Sequence, residues 1–201
     1  LTSEFHTLSK PTEAFLHKEK KSKFWGYAIP LYKEADLKVF IEKLQSNHPN
    51  ANHFCYAWSM GIHPEISRKN DDGEPNNTAA APIYGQIQSF NLSYTAVVVV
   101  REFGGVKLGS GGLISAYKTA AQGALEQAKI VKRKIKKSYT LSVTYPKLHV
   151  LMRLIKQQYA VILDQKLGNL CEILIEIPVD ISAEFEKTIR DHRDIKLNES
   201  E

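Results

Sequence analysis

TAVVVVREFGGVKLGSGG, residues 95–112, decides how the rest of the chain is read. Its four consecutive valines suit a strand buried on both faces. Glycines at 104, 105, 109, 111 and 112 then end strand geometry, and an apolar stripe at helical spacing follows: Leu113, Tyr117, Ala120, Ala121, Ala124, Leu125 and Ala128. Gly123 costs such a helix about 1 kcal/mol relative to alanine unless close packing offsets it. A buried strand, a glycine turn and a helix start form a geometry for binding an anion. Backbone N–H groups point outward there, and the helix dipole favours negative charge. Arg101, Gly104, Gly105, Lys107, Gly109, Ser110, Gly111 and Gly112 are therefore a candidate anion-binding surface, with Lys107 as counter-charge. Neither common nucleotide motif is complete. A P-loop needs Gly-Lys-Ser/Thr, but Ser110 follows Gly109 directly; a dinucleotide fingerprint starting at Gly109 needs glycine where Ile114 stands. The plainer alternative is a tight strand-to-helix connection that only glycine permits.

Outward from this segment, residues 24–31 and 54–60 read as strands, and residues 33–46 as an amphipathic helix through Leu37, Phe40, Ile41 and Leu44. Residues 61–78, with Pro64, Gly73 and Pro75, read as a long polar loop, and residues 79–88 as a short helix. Downstream, residues 139–145 alternate as a strand. Pro146 opens a helix carrying Leu148, Leu151, Met152, Ile155 and Tyr159 on its apolar face. Residues 160–166 and 170–177 form a hairpin, and residues 181–191 a last helix. A short closing strand at 195–197 completes a β-α-β-β-α-β order, that of a ferredoxin-like domain.

The chain has 201 residues, 43% hydrophobic and 24% charged, which fits one large or two small folded domains. No apolar run approaches the roughly 20 residues needed to cross a bilayer. The first 16 residues lack a signal peptide's basic start and apolar core. Cys55 and Cys171 are too few and too distant for a disulfide scaffold or a tetrahedral zinc site. These features point to a cytoplasmic setting without a membrane partner. The formal net charge is +5, with 27 basic and 22 acidic residues. Residues 1–128 carry 13 basic and 12 acidic side chains, and residues 138–201 carry 8 and 10. Lys129, Lys132, Arg133, Lys134, Lys136 and Lys137 fill the nine residues between with six cations and no acid. That run, with a second one at Lys18, Lys20, Lys21 and Lys23, is read as a nucleic-acid contact or, alternatively, as a solvated helix end and linker.

Asp71-Asp72-Gly73-Glu74-Pro75 is the other candidate cluster. Adjacent carboxylates repel, so a cation, a donor array or a turn must hold them. A metal or acid/base role is weighed against an Asx-turn and helix-cap cluster; the spacing is not that of a calcium loop, and the cap reading is favoured. Asp71, Asp72, Glu74 and Thr78 stand as an acidic loop, and Arg101 is expected to pair with one of its three acids. His48, His53 and Cys55 lack a fourth ligand and read as half-buried strand positions. No catalytic residue, metal ligand or cofactor is assigned.

Taken in order, Lys20-Lys21-Ser22-Lys23-Phe24, His53-Phe54-Cys55-Tyr56-Ala57, Asp71 to Pro75 with Thr78-Ala79, and Val99 to Leu113 resemble the YigZ/IMPACT family over nearly the whole chain. The resemblance implies an α+β protein. Its N-terminal domain is similar to ribosomal-protein folds and to domain IV of elongation factor G, over residues 1–130. A basic linker at 131–137 and a ferredoxin-like, domain-V-like C-terminal domain at 138–201 follow. It also implies a non-enzymatic regulatory role linked to translation, with RNA, the ribosome or a translation-control protein as partner. Two alternatives stand beside it: an enzyme using the acidic loop and glycine turn on a phosphorylated substrate, and a protein-interaction regulator without nucleic acid. Three departures from the family pattern matter: Asn77 replaces a glycine, Glu102 a tyrosine and Ser115 an arginine. Asparagine tolerates left-handed geometry, whereas loss of an arginine removes a five-donor anion contact.

Overall fold

A computed structural model of the chain describes residues 3–62 and 65–200. They divide into two compact units, residues 5–133 and residues 3–4 with 134–200.

In the first unit, β1 (Glu4–Leu8) pairs with β7 (Ile130–Lys134). The main sheet contains β2 (Phe15–Glu19), β3 (Ser22–Pro30), β4 (His53–Met60), β5 (Ile66–Asn70) and β6 (Thr95–Glu102) in the antiparallel order β2-β3-β6-β4-β5. The valine run is the middle strand, and its two faces serve two cores. Val97 and Val99 join Phe24, Ala28, Cys55 and Ala57 beneath α2 (Ala80–Ser89) and α3 (Gly109–Glu126). Ala96, Val98 and Val100 join Ile29, Trp58 and Met60 beneath α1 (Glu34–Asn47). An uninterrupted apolar run is what period-two geometry requires when helices cover both faces. Gly123 faces the Phe15 ring, and a Cβ there would lie 2.4 Å from it. Close approach of α3 to β2 therefore accounts for the poor helix former.

Three expectations for this unit need correction. The polar stretch at 61–78 is not all loop: residues 66–70 form β5, paired with β4 from Met60↔Ile66 to Tyr56↔Asn70. Every residue of β5 is exposed, so polar side chains there protect a sheet edge, and polarity alone hid the strand. Residues 63–64, including Pro64, lie outside the described residues. The basic segment is not a helix end: it runs through β7 and into β8 (Lys136–Thr144), with Ile135 between, and the division between the two units falls inside it. Ala128 packs against the core from beyond the end of α3 rather than within its stripe.

The second unit has the order β8, α4 (Leu148–Gln157), β9 (Val161–Lys166), β10 (Leu170–Pro178), α5 (Val179–Arg190) and β11 (Lys196–Ser200). Its antiparallel sheet, β11-β8-β10-β9, is ferredoxin-like. Tyr139, Leu141, Val143, Ile173, Ile175, Leu151, Phe185 and Ile189 fill its core. Pro146 sits in a 3-10 turn, Tyr145–Lys147, ahead of α4. Tyr159 falls beyond the helix with φ 53° and is 86% exposed, so it is not part of the apolar face. No described helix is long and apolar enough to cross a membrane.

Candidate functional site

The site is built around Arg101, at the end of the buried middle strand. Its guanidinium donates to Glu74 Oε1 at 2.5 Å, and both side chains are at most 5% exposed. Burial of two charges is tolerable only when they pair and find further hydrogen bonds. Tyr117, from α3, supplies one by donating its hydroxyl to the same Glu74 oxygen at 2.7 Å. Cys55 Sγ lies 3.3 Å from that hydroxyl oxygen and 3.0 Å from the Asp71 carbonyl. Burial, with Cys55 and Glu74 beside it, pushes the Tyr117 phenol far above its usual range. Burial likewise raises the Cys55 thiol, with the contact to Tyr117 opposing the rise and the nearby acids adding to it. The thiol is held neutral and is no nucleophile.

The three acids of the loop face different ways, which answers how they coexist. Asp71 Oδ1 accepts from the backbone N–H of Ala79 at 3.0 Å and Ala80 at 2.8 Å, and Oδ2 accepts from Asn77. It caps α2 from a distance, in the role usually filled by the N-cap side chain. Asp72 Oδ2 accepts from Phe54 N. Glu74 turns inward to Arg101. Asn77 has φ 63°, the left-handed geometry that asparagine accepts in place of glycine. Thr78 closes the turn by donating to the Pro75 carbonyl. Among the described residues no three His, Cys, Asp or Glu side chains converge as a metal-binding set.

Between the acidic loop and the glycine turn lies an open cleft of about 640 Å³. Its lining comes from β4 and the acidic loop (Asn52, His53, Glu74, Pro75) and from β6 and the glycine turn (Arg101, Phe103, Lys107 to Ser110, Leu113). Lys107 and Ser110 are exposed, and α3 begins at Gly109. Gly104 is required by proximity: a Cβ there would lie 2.1 Å from the Lys21 carbonyl carbon. Its N–H donates to Ser22 Oγ, which also lies 3.5 Å from Arg101 Nη2. The β2–β3 hairpin tip is thereby pinned to the cleft wall. Lys20 and Lys21 at that tip have φ 44° and 67°, the pattern of a tight hairpin turn that usually carries Asn-Gly.

Several expected charges are already engaged. Lys23 pairs with Glu102, its register partner on β6, at 3.0 Å. Lys134 meets Asp180, Lys136 meets Glu176, and Lys137 meets Glu186 and Glu199. Lys132 also has an interaction partner, while Lys129 and Arg133 are exposed. The run that exceeds the net charge by itself is thus largely answered within the fold. Ser115 is exposed on α3. Gly105, Gly111 and Gly112 belong to the turn and the first helical turn. Sequence alone places Tyr117 in an apolar helix stripe, gives Ser22, Asn52 and Phe103 no role of their own, and reads His53 and Cys55 as half-buried strand positions. The cross-strand register of β4 with β6, His53↔Arg101, is the signal that joins them.

Residues 20–125 match the family model described as the Impact N-terminal domain. IMPACT family member YigZ of Escherichia coli is 32% identical over 157 residues, covering 77% of this chain and 76% of that protein. IMPACT family member YvyE of Bacillus subtilis is 37% identical over 126 residues, covering 63% of this chain and 58% of that protein; the chain thus spans less than two thirds of YvyE. A solved structure titled "Crystal structure of an hypothetical protein" superposes with a TM-score of 0.79 at 28% identity, covering 100% of this chain and 99% of the other. The ordered motifs, the fold and these matches agree: the chain belongs to the IMPACT family.

Proposed function

We propose that this chain is a non-enzymatic, translation-linked binding protein whose cleft holds the phosphate backbone of RNA. The observation that carries the reading is Lys107 and the start of α3 lining a cleft over the buried, charge-compensated Arg101–Glu74 pair. The exposed Lys20–Lys21 hairpin tip adds cations nearby, its backbone packed against Gly104. Helix starts and lysines are suited to phosphate without reading sequence. The enzymatic alternative has less support, because all three loop acids are engaged in the fold and Cys55 is held as a thiol. The basic stretch through β7 and β8 takes a smaller share, since Lys134, Lys136 and Lys137 must first leave carboxylates of the same chain.

The test is binding to ribosomal RNA between about 50 and about 200 mM salt. Each lost phosphate contact lowers the log–log slope by roughly 0.7–0.9. Lys21→Ala with Lys107→Ala should remove about 1.5 from the slope, and Lys134→Ala with Lys136→Ala distinctly less. No binding at the lower salt, or a slope indifferent to Lys21 and Lys107, overturns the reading.

A further inference from the structure

His53 stands in the cleft with its ring orientation fixed. Nδ1 lies 2.8 Å from the Asp72 carbonyl oxygen, which can only accept, so Nδ1 carries the proton. In the neutral ring Nε2 is then an acceptor. It faces Glu74 Oε1 at 3.9 Å, another acceptor, too far apart and of the wrong kind to bond each other. The His53 side chain is 23% exposed and Glu74 3%, and both line the cleft. Glu74 Oε1 already accepts from Arg101 and Tyr117, so His53 Nε2 is the acceptor that the cleft offers to a ligand bringing a donor. The phosphodiester of a nucleic acid brings none. The cleft is therefore polarised, with a cationic end at Lys107 and the start of α3 and an acceptor end at His53. Phe103 also lines the cleft, 45% exposed, with its ring 5.4 Å from the Arg101 guanidinium.

A ribonucleotide has the matching polarity: an anionic phosphate, a sugar with a 2′-hydroxyl donor, and a base with an aromatic face. We propose that the cleft seats one unstacked ribonucleotide of a bound RNA, with phosphate at Lys107 and the start of α3. The 2′-hydroxyl donates to His53 Nε2, and the base lies on Phe103. The inference rests on the RNA reading above and adds that the site discriminates by sugar. A 2′-hydroxyl is both donor and acceptor and separates RNA from DNA; an aromatic ring receives any base by its face. The Asp72 carbonyl holds the His53 ring and the Arg101 guanidinium lies against Phe103, so Asp72 and Arg101 act as positioning residues.

The experiment compares the full chain's affinity for three fluorescent single strands of one sequence: RNA, DNA and 2′-fluoro-RNA. The 2′-fluoro strand keeps the RNA sugar pucker and lacks the donor. RNA should bind about fivefold more tightly than both others, the worth of one hydrogen bond. His53→Phe keeps a ring at the position and should bring the three affinities together, while Phe103→Ala should weaken all three alike. Equal binding of all three by the unaltered chain overturns sugar recognition and leaves phosphate recognition standing. Binding of RNA and 2′-fluoro-RNA above DNA assigns the preference to pucker and also overturns it. Binding of none overturns both readings.

Discussion

Arg101→Met tests the buried pair from which the cleft is built. The substitution keeps a long flexible side chain and removes the charge. It leaves the Glu74 carboxylate, 3% exposed, with the Tyr117 hydroxyl as its remaining hydrogen-bond donor. It also removes the guanidinium that lies 5.3 Å from the Phe24 ring. Breaking one partner of a buried ion pair costs about 3–5 kcal/mol, because the other charge stays desolvated. Exposed pairs such as Arg68–Glu34, at 59% and 51% exposure, contribute at most about 1 kcal/mol. Both tryptophans, Trp25 and Trp58, lie within residues 5–133. Tryptophan emission in urea therefore reports the unit that holds the pair. With a slope of about 2 kcal/mol per molar, the midpoint should fall by roughly 2 M. Adding Glu74→Gln to Arg101→Met removes the stranded charge while keeping an acceptor for Tyr117, and should recover at least about half of the loss. A loss below about 1 kcal/mol would show a solvated pair. A double variant as unstable as the two single losses combined would show that the groups do not depend on one another. Either result refutes the argument that this pair is a buried, mutually dependent floor.

Two further outcomes follow from the same geometry. Replacing Lys20-Lys21 by Asn-Gly should raise the urea midpoint by about 1 M, since both lysines leave left-handed backbone that costs each about 1 kcal/mol or more. The same change should weaken RNA binding; a gain in both would dissociate the strained tip from function. Alkaline pH should destabilise residues 5–133. Burial raises Cys55 and Tyr117 in the fold, while the unfolded thiol and phenol ionise from about 8.5 and about 10. The folded state therefore keeps protons that the unfolded state releases, and stability, unaffected below about pH 8, falls as pH rises beyond it. Tyr117→Phe should flatten the upper part of that fall; an identical profile would discount the cause.

Much of this molecule is legible in the residues because local physics wrote it. The valine run reads as a doubly covered strand since no polar residue interrupts it, and the structure buries all four valines completely. The ferredoxin-like order emerged from periodicity and turn residues, and the sheet β11-β8-β10-β9 follows it. Expectations failed where a side chain's partner lies far along the chain. β5 looked like loop because an edge strand needs no apolar residues. Six cations look like a free patch because Asp180, Glu176, Glu186 and Glu199 are at least 40 residues away from the lysines they meet, and only the fold brings them close. His53 and Cys55 looked ordinary because nothing near them in sequence reveals that Arg101 and Tyr117 stand opposite.

The sequence by itself determined the two-part α+β architecture, the glycine turn before α3, and the need for a partner for Arg101, because hydrophobic period, backbone freedom and buried charge are properties of residues and their near neighbours. Tertiary structure decided that the partner is Glu74 and that Asp71 caps α2 instead. It also decided that Lys136 and Lys137 of β8 meet carboxylates while Lys107 lines the cleft. Those outcomes depend on register and on helix placement. A one-residue change of strand register would turn His53 and Arg101 to opposite partners, and no local pattern carries that information.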